Sequence, residues 1–162
     1  MMYNGAHRRE GKEEIRTARI SDYDGLMRLW LANGISIRAG DDRRGIRTVL
    51  DRNPGLSLVA VRHGSIVGAA MGTWDGRRGW IHHLAVDASC RRTGIASRIL
   101  SELEIRMKRK GVQIVKAEIY GTNSASLALF RKRGYADYTN LRTVGKTLTK
   151  TRNIVATGQR KR

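Results

Sequence analysis

A chain of 162 residues has the size of one domain, and a composition of 40% hydrophobic and 6% aromatic residues excludes wholesale disorder. One cysteine, Cys90, excludes an internal disulfide and a cysteine-rich zinc site, and the absence of a long apolar run argues against a membrane span or secretory leader, so a cytoplasmic protein without a metal is expected. The net charge of +18 favours phosphates, nucleic acid or acidic surfaces as partners and disfavours polyamines.

In chain order, "IRTARI" reads as a first strand and "SDYDGLMRLWLANG" as a helix. In that helix Ser21 is a candidate N-cap, Leu26, Leu29 and Trp30 recur at helical spacing, and Gly34 ends the run. A second helix is predicted from Asp41 to about Arg52, with Ile46, Val49 and Leu50 inward and Pro54–Gly55 as its stop. Three strands follow. "LSLVAVR" and "SIVGAAMG" flank a tight turn at His63–Gly64, and "DGRRG" leads into "WIHHLAV". After "RRTGIA" an amphipathic helix presents Ile99, Leu100, Leu103 and Met107 on one face and ends at Gly111. "QIVKAEIY" reads as another strand and "NSASLALFRKRG" as another helix, while "YADYTNL" and the segment after Arg142 can supply one or two last strands. Loose ends are expected at residues 1–14 and 157–162, around a domain spanning 15–156.

Antiparallel strands followed by strand–helix–strand–helix predict an α+β domain, with a mixed, mostly antiparallel sheet of six or seven strands and helices on both faces. At "RRTGIA" a strand gives way to a helix through a glycine turn. Several backbone N–H groups there lack partners, and the helix dipole adds positive potential, which together suit an anion. Gly94 and Ala96 allow close backbone approach, Ser97 adds a hydroxyl, and Arg91 and Arg92 add charge-assisted contacts.

The run from Ile81 to Tyr135 resembles the GNAT superfamily of acetyl-CoA-dependent N-acetyltransferases. The features that carry this are Leu84 and Val86, Arg91 to Gly94 to Ala96, Asn123, Phe130, Lys132, Gly134 and Tyr135, in that order. The resemblance implies acetyl-CoA as co-substrate. The backbone N–H groups of Arg92, Thr93, Gly94, Ile95 and Ala96 would hold its pyrophosphate, with Arg91 and Ser97 close by. The backbone of Leu84, Ala85 and Val86 would pair with the pantetheine arm where the strand splays from its neighbour, and the Val86 amide would polarise the thioester carbonyl. Asn123 and Phe130 would lie along the pantetheine region, and Lys132 near the adenosine phosphates. Asn123 also suits a helix N-cap.

An amine must lose a proton before it can attack, so the reaction calls for a base. Glu118 faces away from the apolar side of its strand and matches a catalytic glutamate of family members that acetylate ribosomal-protein N-termini. His82, four residues before Val86, matches a catalytic histidine of arylalkylamine acetyltransferases, and Glu118 is favoured over it. In a regular strand His83 would point to the opposite face from His82. Many family members carry tyrosine where this chain has Phe130, and phenylalanine cannot protonate the departing thiolate.

The acceptor is read only as an amine, on a small molecule or a protein, and the basic charge favours one that also bears a carboxylate or phosphate. Asp41 and Asp42 could meet a cationic amine, but Asp41 is expected to cap the second helix and both acids to pair with Arg43 or Arg44. Two other readings compete: a basic nucleic-acid-binding module, for which salt-sensitive, sequence-independent binding is the most the sequence supports, and a CoA-binding regulator without turnover. Exposed final strands would suit a homodimer.

Overall fold

A computed structural model describes residues 13–148. Five strands form one sheet in the order β1-β2-β3-β4-β5. They are β1 (Glu14–Thr17), β2 (Ser57–Arg62), β3 (Ser65–Trp74), β4 (Gly79–Val86) and β5 (Val115–Ala117). The first four run antiparallel, and β5 runs parallel to β4 after the crossover through the helix α3 (Ile95–Arg109). The other helices are α1 (Tyr23–Ala32), α2 (Arg43–Arg52) and α4 (Ser124–Lys132).

Alternation along the strands sorts the core into two layers. Leu58, Ala60 and Ala70 meet Ile95, Ile99, Leu100, Leu103 and Met107 of α3 on one face, where Phe130 of α4 joins them. Val59, Ala69 and Met71 meet Leu26, Leu29 and Trp30 of α1 and Ile46 of α2 on the other. The helix α3 lies close to the sheet because β3 carries glycine beneath it. A Cβ on Gly72 would stand 2.2 Å from the Leu56 carbonyl oxygen and 2.8 Å from Leu103 Cδ1.

Several expectations need correction. Among the described residues the sheet has five strands against the six or seven expected, because residues 136–148 join no ladder, and "QIVKAEIY" is a strand only over Val115–Ala117. That segment has no apolar face to bury: Val144 is 91% and Leu148 87% exposed. The remainder of the segment that could supply a last strand lies outside the described residues, as do residues 1–12 and 149–162. Ser21 does not cap α1. It lies inside a 3-10 turn (Ile20–Asp22) whose start is held by Asp22, which accepts from the Arg19 N–H at 2.8 Å and pairs with the Arg16 guanidinium at 2.7 and 2.8 Å. Asp42, not Asp41, caps α2, its carboxylate accepting from the Gly45 N–H at 2.7 Å. Asp41 turns inward instead, toward β4.

Candidate active site

The strands β4 and β5 pair from Gly79↔Val115 to Ile81↔Ala117 and no further. From His82 to Val86, β4 is laddered to β3 alone, so a cleft opens along its other edge. Leu84, Ala85 and Val86 border this opening. Leu84 and Val86 pack toward α3 and Ala85 toward α1.

A bulge rearranges the side chains here. Ala69 faces Ala85 and Met71 faces His82, so His83 and Leu84 together oppose the single residue Ala70. His83 takes the left-handed conformation, with φ at 51°. The extra residue shifts the alternation: Ile81, Leu84 and Val86 all reach the α3 core, an interval of three and then two. His82 and His83 consequently share the α1 side of the sheet, which corrects the expectation of opposite faces. The interval was present in "IHHLAV", where two polar residues interrupt the apolar positions.

Where β4 ends, Asp87 starts a short 3-10 turn and buried Cys90 closes it. The following turn places Arg92 at φ 65° and Gly94 at φ 84°. Gly94 is the N-cap of α3, and no side chain caps the helix. The first N–H groups of a 15-residue helix are therefore left for water or a ligand. No atom lies within 4 Å of where a Gly94 Cβ would stand, so the approach is open. Thr93 turns its hydroxyl back onto the Cys90 carbonyl at 2.8 Å. Arg91 reaches Asn33 Oδ1 at 2.8 Å, which ties the turn to the end of α1, whereas Arg92 is exposed. Ile95 is buried in the core, while Ala96 and Ser97 are half-buried.

Beyond this turn a hollow of about 560 Å³ lies between α3 and α4, lined by Ser97, Leu129, Lys132, Arg133 and Gly134. Ser97 and Lys132 thus come together. Asn123 caps α4 by accepting from the Ser126 N–H at 3.1 Å. Phe130 is buried, edge-on to Tyr135 at 4.8 Å. The Tyr135 hydroxyl donates to Glu104 at 2.9 Å, and burial followed by the Glu104 charge pushes its pKa well above the usual phenol value, so it is no ready proton donor.

Across the cleft lies a polar wall. His82 is half-buried, its Nε2 lies 3.3 Å from Thr73 Oγ1, and its ring stacks on Trp80 at 6.4 Å. Burial, then the neighbouring His83, lowers its pKa and keeps the imidazole neutral near pH 7. Glu118 is exposed on the far side of the cleft and accepts from the Thr143 hydroxyl at 3.3 Å. The Glu118 charge acts on His82 in the opposite sense to burial, without reversing the net downward shift.

Sequence reasoning missed two parts of this wall. Asp41 Oδ2 lies 3.5 Å from His83 Nε2 and accepts from the Arg38 N–H at 2.8 Å. Burial raises the Asp41 pKa, but the hydrogen bonds from His83 and the Arg38 N–H outweigh it, and the net shift is downward. The Arg38 guanidinium donates to the Tyr120 hydroxyl at 2.8 Å, bridging the α1–α2 loop to the chain leaving β5. No local pattern announces either pairing, since the partners are 42 and 82 residues apart.

A family model described as the acetyltransferase (GNAT) family matches residues 23–135. An acetyltransferase of Sodalis glossinidius is 31% identical over 135 residues, 83% of this chain and 95% of the relative. Among solved structures, Ard1 from Thermoplasma volcanium superposes with a TM-score of 0.70 at 20% identity, covering 78% of this chain and 84% of that one. The PaiA N-acetyltransferase of Thermoplasma acidophilum, solved with coenzyme A, gives 0.67 at 19% identity, covering 76% and 89%. At these identities the two structures bear on the fold alone.

Proposed function

The chain belongs to the GNAT acetyltransferase family, and from that premise we propose that it moves an acetyl group from acetyl-CoA to a primary amine by direct attack when both substrates are bound. The observation that carries this reading is the opening of β4 from β5 beside an uncapped helix N-terminus. The unpaired edge of β4 at Leu84, Ala85 and Val86 offers backbone groups to an extended amide-bearing chain. The N–H groups from Arg92 to Ala96, with Arg91 and Ser97 at the margins, suit a pyrophosphate. Lys132 at the rim of the adjoining hollow suits further phosphate charge. Asn123 would line the intervening stretch, with the buried Phe130 packed beneath it. Bound there, acetyl-CoA supplies an activated acyl carbon and a thiolate leaving group.

The Val86 N–H is assigned to polarise the thioester carbonyl. Glu118 is assigned as the base that takes a proton from the amine, with His82 as the alternative across the cleft. An exposed carboxylate exchanges protons with water after each turnover, which favours Glu118. Phe130 cannot protonate the thiolate, so water does. The Arg38 and Lys116 cations near the polar wall favour an acceptor that also carries an anionic group, including a peptide N-terminus beside an acidic residue.

Calorimetric titration with acetyl-CoA, then thioester consumption against a defined panel, tests this. The panel holds free-N-terminal peptides beginning with alanine, serine or methionine, each with and without an acidic second residue, together with phenethylamine and spermidine. One-to-one binding and turnover of a peptide or anion-bearing amine, reduced about 100-fold in Glu118→Gln, is the expected result. Failure to bind acetyl-CoA in a folded wild type refutes it, and efficient spermidine turnover refutes the acceptor class.

A further inference from the structure

We propose that His83, oriented by the Asp41 carboxylate, is a second proton acceptor for the attacking amine, working opposite Glu118. The inference rests on the acetyl-transfer reading above and adds to it a residue that the sequence pattern assigned to the wrong face. Its starting point is the bulge. A histidine held at φ 51° carries backbone strain, and bulges that re-aim a side chain cluster beside active sites. Here the re-aimed side chain stands three residues before Val86, on the stretch of β4 that β5 leaves unpaired.

The ring is fixed on two sides. Its face lies against Trp30, with centroids 4.6 Å apart and planes at 45°. Its Nε2 edge meets Asp41 Oδ2 at 3.5 Å, and that carboxylate is itself held by the Arg38 N–H. We assign the Nε2 hydrogen to the Asp41 side, 3.5 Å away, which leaves the lone pair on Nδ1, the arrangement in which a carboxylate orients an imidazole for proton transfer. The side chain is 21% exposed, enough for a substrate to touch it. The titratable and charged groups around it are His82 on its own strand, Asp41 and Arg38 on the α1–α2 loop, and Tyr23 of α1, whose hydroxyl donates to the Asp41 carbonyl; the Glu118 charge acts on the adjacent His82.

The chemistry needs two acceptors. An ammonium R–NH3⁺ becomes an amide R–NH–C(O)CH3, so two N–H protons depart. Glu118 takes the first, which frees the nitrogen lone pair. That pair forms the N–C bond to the acetyl carbon, the C–S bond breaks with its electrons on sulfur, and the second N–H proton passes to His83 Nδ1. Sulfur takes a proton from water, and Glu118 and His83 return theirs to solvent. The balance is one amide, one thiol and one proton released per ammonium consumed.

The test compares the wild type with His83→Asn, His83→Gly and Asp41→Asn, using the peptide from the panel above with the highest kcat/KM. Asparagine and glycine both tolerate the left-handed backbone. For His83→Asn a fall in kcat of about 30-fold at neutral pH is expected, with unchanged acetyl-CoA affinity and a deficit that shrinks as pH rises. Imidazole added to His83→Gly should restore turnover, while pyrazole, of the same size and far less basic, should not. Asp41→Asn, a positioning change, should lower kcat about 5-fold with little change in KM. His83→Asn within twofold of wild type at every pH, or equal rescue by pyrazole and imidazole, overturns the inference and leaves the acetyl-transfer reading intact. A wild type that binds acetyl-CoA yet turns over no amine overturns both.

Discussion

Arg133 ties the end of α4 to α3 through four hydrogen bonds, to Glu104 Oε1 and Oε2, the Ser97 carbonyl and Ser101 Oγ, over a face packed with Ile95, Ile99, Leu103 and Phe130. The opposite wall of the cleft, the loop of residues 35–42, packs Ile35 and Ile37 against the α1 side of the core and is otherwise fastened across the cleft by single contacts at Asp41–His83, Arg38–Tyr120 and Tyr23–Asp41, with most of its residues exposed. One wall is a preformed scaffold that presents backbone groups. The other is a set of side chains on a loop, where individual residues can change at small cost to the fold.

The largest expected effect tests the scaffold wall. Gly94→Glu adds a carboxylate where free N–H groups and helix dipole favour an anion; the site has room for a Cβ, and the structural cost is the backbone strain of about 1–2 kcal/mol that a side chain pays at φ 84°. Acetyl-CoA affinity should fall more than about 100-fold by calorimetry, with the thermal midpoint within a few degrees of wild type. Retained affinity would mean that the scaffold does not hold the pyrophosphate. Next comes Arg133→Ala. The pair with Glu104 is only part-buried, at 17% and 31% exposure, so the loss should be nearer about 2 kcal/mol in urea denaturation than the larger values of fully buried pairs.

Acid should separate the two walls. The Arg16 guanidinium holds the Asp22 pKa below the usual carboxylate value, and burial opposes this only in part. A carboxyl whose folded pKa is depressed contributes its full stabilisation above the unfolded value of about 3.9, and that contribution disappears as pH falls through the folded value. Asp22 roots α1, and Asp41, also depressed, pins the loop after it. Below about pH 4, amide hydrogen exchange in residues 20–42 should therefore accelerate before exchange in α3 does. Asp22→Asn should cost about 1.5 kcal/mol at neutral pH and flatten the acid limb of the urea midpoint. Equal acid sensitivity in both walls would erase the distinction.

What could be read in advance follows the same line. The order of strands and helices, the glycine turn at Gly94 and the Asn123 cap were legible because each rests on a local pattern: alternation, helical spacing or a cap residue. The bulge was half-legible, through the interval from Ile81 to Leu84. Asp41 was assigned to the helix cap because Asp41 and Asp42 are equivalent by local pattern. Only the fold brings Asp41 to His83, and only the fold gives the cap to Asp42. Over residues 136–148 no strand forms: β-branched residues such as Val144 carry strand propensity, but pairing needs a face to bury.

The smallest effect is the most discriminating. Tyr120→Phe removes the hydroxyl that accepts from Arg38 and leaves the ring. Both partners are exposed, so water replaces the bond and stability should change by less than about 0.5 kcal/mol. The released guanidinium can still meet an anionic group on the acceptor, with more freedom and a greater ordering cost. KM for an acidic-second-residue peptide should therefore rise about 2–3-fold while kcat and acetyl-CoA affinity stay fixed. A neutral amine, having nothing for Arg38 to hold, should show no change. If Tyr120→Phe instead lowers stability by more than about 1 kcal/mol, the bridge supports the fold, and the loop wall is a scaffold like the other.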